Sequence, residues 1–169
     1  MSKYRNYMGA GLTVILALAA TPALVEVDRS ASRGEYLARI MDCAGCHTPG
    51  ALIGKPDPAR NLAGSEIGFH IPHLGYFYPP NLTPDRETGL GAWSEADIVR
   101  AVRTGVRPDG RVLAPAMPWH AYAALNDQDA HALARHLKSL KPVRNAVPPL
   151  AGPGTPPPSP YLTVVAPDR

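Results

Sequence analysis

The chain has 169 residues, carries a formal charge of +3 and is 45% apolar, which fits one globular domain with extensions. This small positive charge gives no reason to expect a nucleic-acid partner. With only two cysteines, the chain is neither a disulfide-rich miniprotein nor a four-cysteine zinc module.

The first 29 residues are typical of an export segment. Lys3 and Arg5 form a basic start, residues 12–20 are mostly apolar, and residues 17–19 offer a small-x-small cleavage site. An uncleaved membrane anchor is the alternative, because residues 8–25 carry no charge, although this length is near the lower limit for a span. Both alternatives stay open, and both predict that the rest of the chain lies outside the cytoplasm.

A first helix is predicted from Ser32, a suitable N-cap with Glu35 three residues later. This helix leads into Cys43-Ala44-Gly45-Cys46-His47, and the C-x-x-C-H pattern is the attachment signature of c-type haem. Two thiols one helical turn apart can add to both vinyl groups of one porphyrin. The next residue then places an imidazole under the iron.

Three other uses of a C-x-x-C pair fit the chain less well. A thioredoxin-like redox pair needs a βαβ context, which the sequence pattern lacks. A zinc site needs two more ligands, and His70 and His73 would have to provide them because no other cysteine exists. A disulfide between Cys43 and Cys46 would leave His47 without a role. Haem attachment is therefore the preferred interpretation.

Residues 48–92 are rich in Pro and Gly and show little periodicity, which predicts a long ordered loop region. Such a loop is usually functional or wrapped around something. A second helix is predicted between Ser94, in a capping pattern with Asp97, and Gly105.

A third helix is predicted between Asn126 and Pro142, with an apolar stripe along one face. Three principal helices wrapped with long loops predict an all-α domain over residues 30–147. Residues 148–169 are rich in proline and are predicted to form an extended, largely polyproline-like tail.

The sixth iron ligand decides between electron transfer and ligand chemistry. Two of the four methionines lie in the export segment, and Met41 precedes the motif on the same helix, so it cannot reach the opposite haem face. Met117 remains, between two prolines that would fix the direction of its thioether. The sequence favours Met117 and leaves His120, three residues later, as the competing ligand.

Three segments together carry a family resemblance: RGEYLARIMDCAGCHTPG, YPPNLTPDRETGLGAWSEADIVRAVRTGVRPDG and PAMPWHAYAALNDQDAHALARHLKSLKPVRNAVP. The chain resembles class I c-type cytochromes, and more narrowly the cytochrome c subunits of membrane-bound periplasmic dehydrogenases for alcohols, gluconate or aldehydes. This resemblance implies the cytochrome c fold around one haem c, bound covalently through Cys43 and Cys46. It also implies His47 as proximal ligand and Met117 as distal ligand.

The resemblance further implies a one-electron carrier rather than a catalyst. Its donor is expected to be a periplasmic dehydrogenase subunit or quinol-oxidising partner, and its acceptor a cytochrome or terminal oxidase of a respiratory chain. The expected location is the periplasmic side of the bacterial inner membrane, either soluble or anchored by the N-terminus. Subunits of this family often carry three haems, whereas this chain has one motif.

Two alternative functions remain open. The chain is a haem enzyme or gas sensor if its distal site is open or weakly held, which His120 near Met117 and the loop with His70 and His73 suggest. It is a non-redox assembly subunit if its haem is structural and the proline-rich tail docks to a partner.

Overall fold

The computed structural model describes residues 33–166, so the predicted export segment at residues 1–29 lies outside it. No helix within residues 33–166 combines the length and apolarity needed to span a membrane. The elements in chain order are α1 (33–40), α2 (Cys43–His47), β1 (Gly68–Ile71), β2 (Gly75–Phe77), α3 (Glu95–Thr104), α4 (Trp119–Tyr122), α5 (Asp127–Ser139) and β3 (Tyr161–Leu162).

The first predicted helix is present but broken just before the cysteine motif. Residues 33–40 are helical, a turn follows, and α2 begins at Cys43. Asp42 causes the break, because its φ of 52° is left-handed, a conformation that Asp tolerates better than most residues. Ser32, the predicted N-cap of this first helix, lies outside the described residues.

The second and third predicted helices are confirmed with their caps. Ser94 Oγ accepts a hydrogen bond from Asp97 N, and the Asp97 carboxylate accepts one from Ser94 N, both at 3.1 Å. Helix α3 then stops at Gly105, whose φ is 73°. Asn126 caps α5 by accepting a hydrogen bond from Asp129 N at 2.8 Å.

The core lies where α1, α3 and α5 meet. Helix α1 approaches α5 so closely that a Cβ at Gly34 would collide with the Ala132 carbonyl. Arg33 and Asp129 form an ion pair of 2.8 Å at the same crossing. Burial of the shared apolar side chains drives this packing. They are Leu37, Ala38, Leu62, Leu90, Ile98, Leu133, Ala134 and Leu137.

A small sheet means that the all-α expectation is not confirmed. Strands β1 and β2 form an antiparallel hairpin, and β3 from the C-terminal tail pairs parallel with β1, giving the order β2-β1-β3. The turn contains Pro72 and reaches Gly75 with a φ of 108°. Aromatic residues at facing positions, such as Phe69 and Phe77, favour strand pairing over helix.

Candidate haem site

Helix α2 carries Cys43, Cys46 and His47 on little more than one turn. Both cysteines are free and partly buried, and Cys43 packs against the apolar core. Burial raises the pKa of Cys43 to about 11 and also raises the pKa of Cys46, since a thiolate loses hydration there. Both side chains are therefore neutral thiols, which can each add S–H across a vinyl double bond to give a thioether.

His47 is buried, and one of its ring nitrogens makes a hydrogen bond within the protein. Its Nδ1 donates a hydrogen bond to the carbonyl oxygen of Pro80 at 2.8 Å. Burial lowers the pKa of His47, while the bond to Pro80 acts in the opposite direction. The ring is thus neutral, and with Nδ1 protonated its Nε2 keeps a lone pair. A carbonyl that fixes the tautomer in this way is the usual partner of a metal-ligating histidine.

The backbone around Pro80 is fastened to the same short loop as the end of α2. Gly64 N donates to the His47 carbonyl at 2.7 Å, and Ser65 N donates to the Pro79 carbonyl at 3.0 Å. Gly64 has a φ of 93°, and a Cβ there would lie 2.9 Å from Asn81 N. Residues 64 and 65 therefore form one link between the end of α2 and the backbone just before Pro80.

Asn81 anchors the chain directly after Pro80. It is only 1% exposed, and its Nδ2 donates to Thr88 Oγ1 at 3.0 Å and to the Val143 carbonyl at 2.7 Å. Its Oδ1 accepts hydrogen bonds from Thr83 N at 2.9 Å and Thr83 Oγ1 at 2.8 Å. All four hydrogen-bonding positions of this amide are used within the protein.

The structure distinguishes the two candidate distal ligands by their exposure. Met117 is partly buried and held in a turn, because its N donates to the Ala114 carbonyl at 2.9 Å and its carbonyl accepts from Trp119 N at 2.8 Å. His120 is exposed, and its ring lies against Trp119 at a tilt of 32°, with 3.4 Å between centroids. Of the two, Met117 has the environment expected of a side chain facing a buried group.

Tyr122 is a site residue that the sequence analysis missed. Its hydroxyl donates to the Met41 carbonyl at 2.9 Å. Burial raises the pKa of Tyr122, and its interactions with Cys43 and Cys46 raise it further. In the sequence, the one signal for Tyr122 is its position in the aromatic run that follows Met117.

His70 and His73 lie on the hairpin, apart from the cysteine motif. His70 stacks on Tyr76 with 4.7 Å between ring centroids, and its Nδ1 lies 3.2 Å from Thr163 Oγ1. His73 sits in the hairpin turn with a φ of 65°. Within residues 33–166, no three His, Cys, Asp or Glu side chains group together as a metal site.

The donor set fits haem c. Two unpaired thiols lie one turn apart, and the neighbouring imidazole is neutral with Nδ1 held by Pro80. Cys43 and Cys46 would hold the porphyrin, His47 would bind the iron on one side, and Met117 is the candidate for the other.

Residues 31–141 match the family model described as Cytochrome c. The match covers more than half of the chain, which therefore belongs to the cytochrome c family. Membership implies covalently bound haem c, in agreement with the arrangement of Cys43, Cys46 and His47.

Curated relatives include cytochrome subunits of dehydrogenases. The chain is 41% identical over 124 residues, 72% of its length, to the cytochrome c subunit of a quinone-dependent alcohol dehydrogenase from Gluconobacter oxydans. It is 41% identical over 120 residues, 70% of its length, to the gluconate 2-dehydrogenase cytochrome c subunit of Pantoea cypripedii. The fructose dehydrogenase cytochrome subunit of Gluconobacter japonicus is 36% identical over 154 residues, 85% of the chain.

The chain matches only part of each relative. The matched regions are 24% of the alcohol dehydrogenase subunit, 25% of the gluconate dehydrogenase subunit and 30% of the fructose dehydrogenase subunit. These proteins share one cytochrome c domain with the chain and extend well beyond it.

Proposed function

We propose that the protein is a one-electron carrier with a single haem c, attached through Cys43 and Cys46. The observation that carries this proposal is the buried His47 with its Nδ1 bonded to the Pro80 carbonyl, beside two free thiols. When bound, haem c supplies a reversible one-electron iron couple. Two cysteines in the whole chain provide the thioethers for one haem and no more.

The proposed axial ligands are His47 and Met117. The partial burial of Met117 and the exposure of His120 support this choice. A thioether opposite an imidazole raises the reduction potential relative to two imidazoles. Apolar surroundings act in the same direction, because they disfavour the extra charge of the ferric form. A filled distal position suits electron transfer rather than binding of small ligands.

The proposed donor is a dehydrogenase subunit or a quinol-oxidising partner, and the proposed acceptor is a cytochrome or terminal oxidase of a respiratory chain. The names of the relatives from Gluconobacter oxydans and Pantoea cypripedii support a dehydrogenase partner. Co-purification from native membranes, followed by identification of the bound subunits, tests this part. Recovery of the cytochrome without any redox protein would contradict it.

The proposed location is the periplasmic side of the bacterial inner membrane. The basic start and apolar stretch within residues 1–29 support export, with either a cleaved leader or a retained anchor. N-terminal sequencing of the protein isolated from periplasmic and membrane fractions separates these outcomes. Intact protein confined to the cytoplasm would contradict export.

Substitution of the distal candidates tests the ligand assignment. Met117→Ala is expected to abolish the weak far-red sulfur-to-iron band of the ferric protein and to open the iron to carbon monoxide. His120→Ala is the matched control and should leave both properties unchanged. If the His120 variant opens the iron instead, the distal assignment is wrong. Rapid carbon monoxide binding by the parent would support the haem enzyme or gas sensor.

A further inference from the structure

The proline-rich tail closes the hairpin at both of its edges. On the outer side of β2, Tyr76 and Ala151 form a bridge in which Tyr76 N donates to the Ala151 carbonyl at 2.7 Å and Ala151 N donates back at 3.2 Å. On the other side, β3 pairs with β1, and Gly68 N donates to the Pro160 carbonyl at 2.9 Å. A two-stranded hairpin is marginally stable alone, so the tail contributes directly to its order.

Ser159 of the tail also holds Tyr78, the residue that follows β2. The Tyr78 hydroxyl donates to the Ser159 carbonyl at 2.7 Å and lies 3.2 Å from Ser159 N, which donates to it. Ser159 Oγ in turn donates to the Glu66 carbonyl at 2.6 Å. Tyr78 is only 8% exposed, and a Cβ at Gly68 would lie 2.8 Å from its ring. The phenol is thus fixed by both packing and hydrogen bonds.

Tyr78 is connected to the Pro80 carbonyl by a stiff stretch of backbone. Pro79 and Pro80 each have a fixed φ, and a residue that precedes a proline is restricted to extended conformations. Both Tyr78 and Pro79 precede a proline. A displacement of Tyr78 is therefore passed on to the Pro80 carbonyl, which accepts the hydrogen bond from His47 Nδ1.

We propose that the tail, residues 148–166, is a positioning element for the proximal histidine, and that Tyr78 and Ser159 are the positioning residues through which it acts. This inference rests on the proposed function, because the proposed function makes His47 a ligand of the iron. The tail fixes the position of the hairpin and of Tyr78. Through Pro79 and Pro80, the position of Tyr78 determines where the Pro80 carbonyl lies. This carbonyl in turn sets the orientation and basicity of the His47 imidazole.

The direction of the effect follows from this hydrogen bond. A strong acceptor at Nδ1 makes His47 a more basic ligand, which favours the ferric state and lowers the reduction potential. A loosened tail lengthens or bends the bond to Pro80. The reduction potential then rises, and the Nδ1 proton of His47 becomes easier to exchange with solvent.

Two changes in the full haem-loaded protein test the proposal. Tyr78→Phe keeps the ring and removes the bonds to Ser159, and a chain shortened after Val147 removes the tail altogether. Tyr36→Phe is the matched control, because that ring is 51% exposed and no hydrogen bond of its hydroxyl occurs within residues 33–166. The reduction potential and the exchange rate of the His47 Nδ1 proton, followed by NMR of the ferrous protein, are the two readouts.

The expected result is a higher potential and faster exchange for Tyr78→Phe, a larger change for the shortened chain and none for Tyr36→Phe. The proposal is overturned if a folded, haem-loaded Tyr78→Phe protein has the same reduction potential and the same Nδ1 proton exchange rate as the parent. Tyr78→Phe decides alone if the shortened chain does not fold. A parent protein that binds haem but shows no reversible reduction would instead contradict the proposed function.

Discussion

Gly105 lies against the indole ring of Trp119, at a distance that leaves no room for a side chain. A Cβ at Gly105 would come within 2.6 Å of Trp119 Cε2. Gly105 ends α3 with a φ of 73°, and Trp119 N donates to the Met117 carbonyl. The end of α3 therefore supports the turn that presents Met117.

Gly105→Ala is expected to displace Trp119 and weaken the proposed binding of Met117 to the iron. The ferric protein should lose intensity in its far-red sulfur-to-iron band and bind carbon monoxide more readily after reduction. Gly110→Ala is the control, because Gly110 also has a positive φ, 80°, but a Cβ there meets no atom within 4 Å. Equal loss of the band in both variants would mean that backbone strain, rather than contact with Trp119, is responsible.

Asn81→Ala is expected to lower the free energy of unfolding by about 2 to 4 kcal/mol, because it removes four hydrogen bonds and leaves the buried Thr83 N–H without an acceptor. Chemical denaturation of the haem-loaded protein measures this change. Asn61→Ala, at an exposed asparagine that accepts a single hydrogen bond from Thr48 Oγ1, should cost less, about 1 kcal/mol. Similar losses in the two variants would contradict the anchoring role of Asn81.

Lys138 fastens α5 to the segment that precedes α3. Its Nζ donates to the carbonyls of Leu90 at 3.2 Å, Gly91 at 3.1 Å and Trp93 at 2.8 Å. Lys138→Met keeps the length of the chain and removes all three bonds, so we expect a loss of about 1 to 3 kcal/mol in unfolding free energy. Lys141→Met, at an exposed lysine just beyond the end of α5, should have little effect. If Lys138→Met has the same free energy of unfolding as the parent, the three hydrogen bonds make no net contribution to stability.

The lowered pKa of the Asp85 carboxyl predicts that the protein loses stability in acid. The pKa of Asp85 lies below the ordinary 3.8, first because its side chain accepts a hydrogen bond from Thr88 Oγ1 at 2.7 Å and then because it accepts from Thr88 N. A carboxylate with a lowered folded pKa stabilises the protein above its unfolded pKa, and this contribution is lost as the pH falls through the folded value.

Asp85→Asn is therefore expected to be less stable than the parent at neutral pH, with a difference that shrinks below about pH 4. Denaturant titrations between pH 7 and strongly acidic pH measure this convergence. Glu66→Gln is the control, since no hydrogen bond or ion pair of the Glu66 side chain occurs within residues 33–166, and it should follow the parent throughout. A difference for Asp85→Asn that stays constant with pH would contradict the prediction.

The helices and the haem motif could be predicted because their signals are local. Ser94 with Asp97 and the C-x-x-C-H run each lie within one or two helical turns, where spacing alone determines which groups meet. The break at Asp42 could not be predicted, since its left-handed conformation depends on how α1 and α2 each pack against the rest of the chain.

The partners of the site could not be predicted, because they are distant in sequence. Pro80 meets His47 and Tyr122 meets Met41 only after the chain has folded. The hairpin was also missed, although aromatic residues on both sides of Pro72 and Gly75 are a recognisable strand signal. Its pairing with Tyr161 and Leu162 joins segments that no local pattern connects.

A spectroscopic redox titration of the purified haem-loaded protein tests the central claim most directly. We predict one reversible one-electron transition from a single haem, with a low-spin ferric spectrum whose far-red sulfur-to-iron band disappears on reduction. A high-spin ferric spectrum together with rapid carbon monoxide binding by the reduced protein would contradict the account of a His47- and Met117-ligated electron carrier.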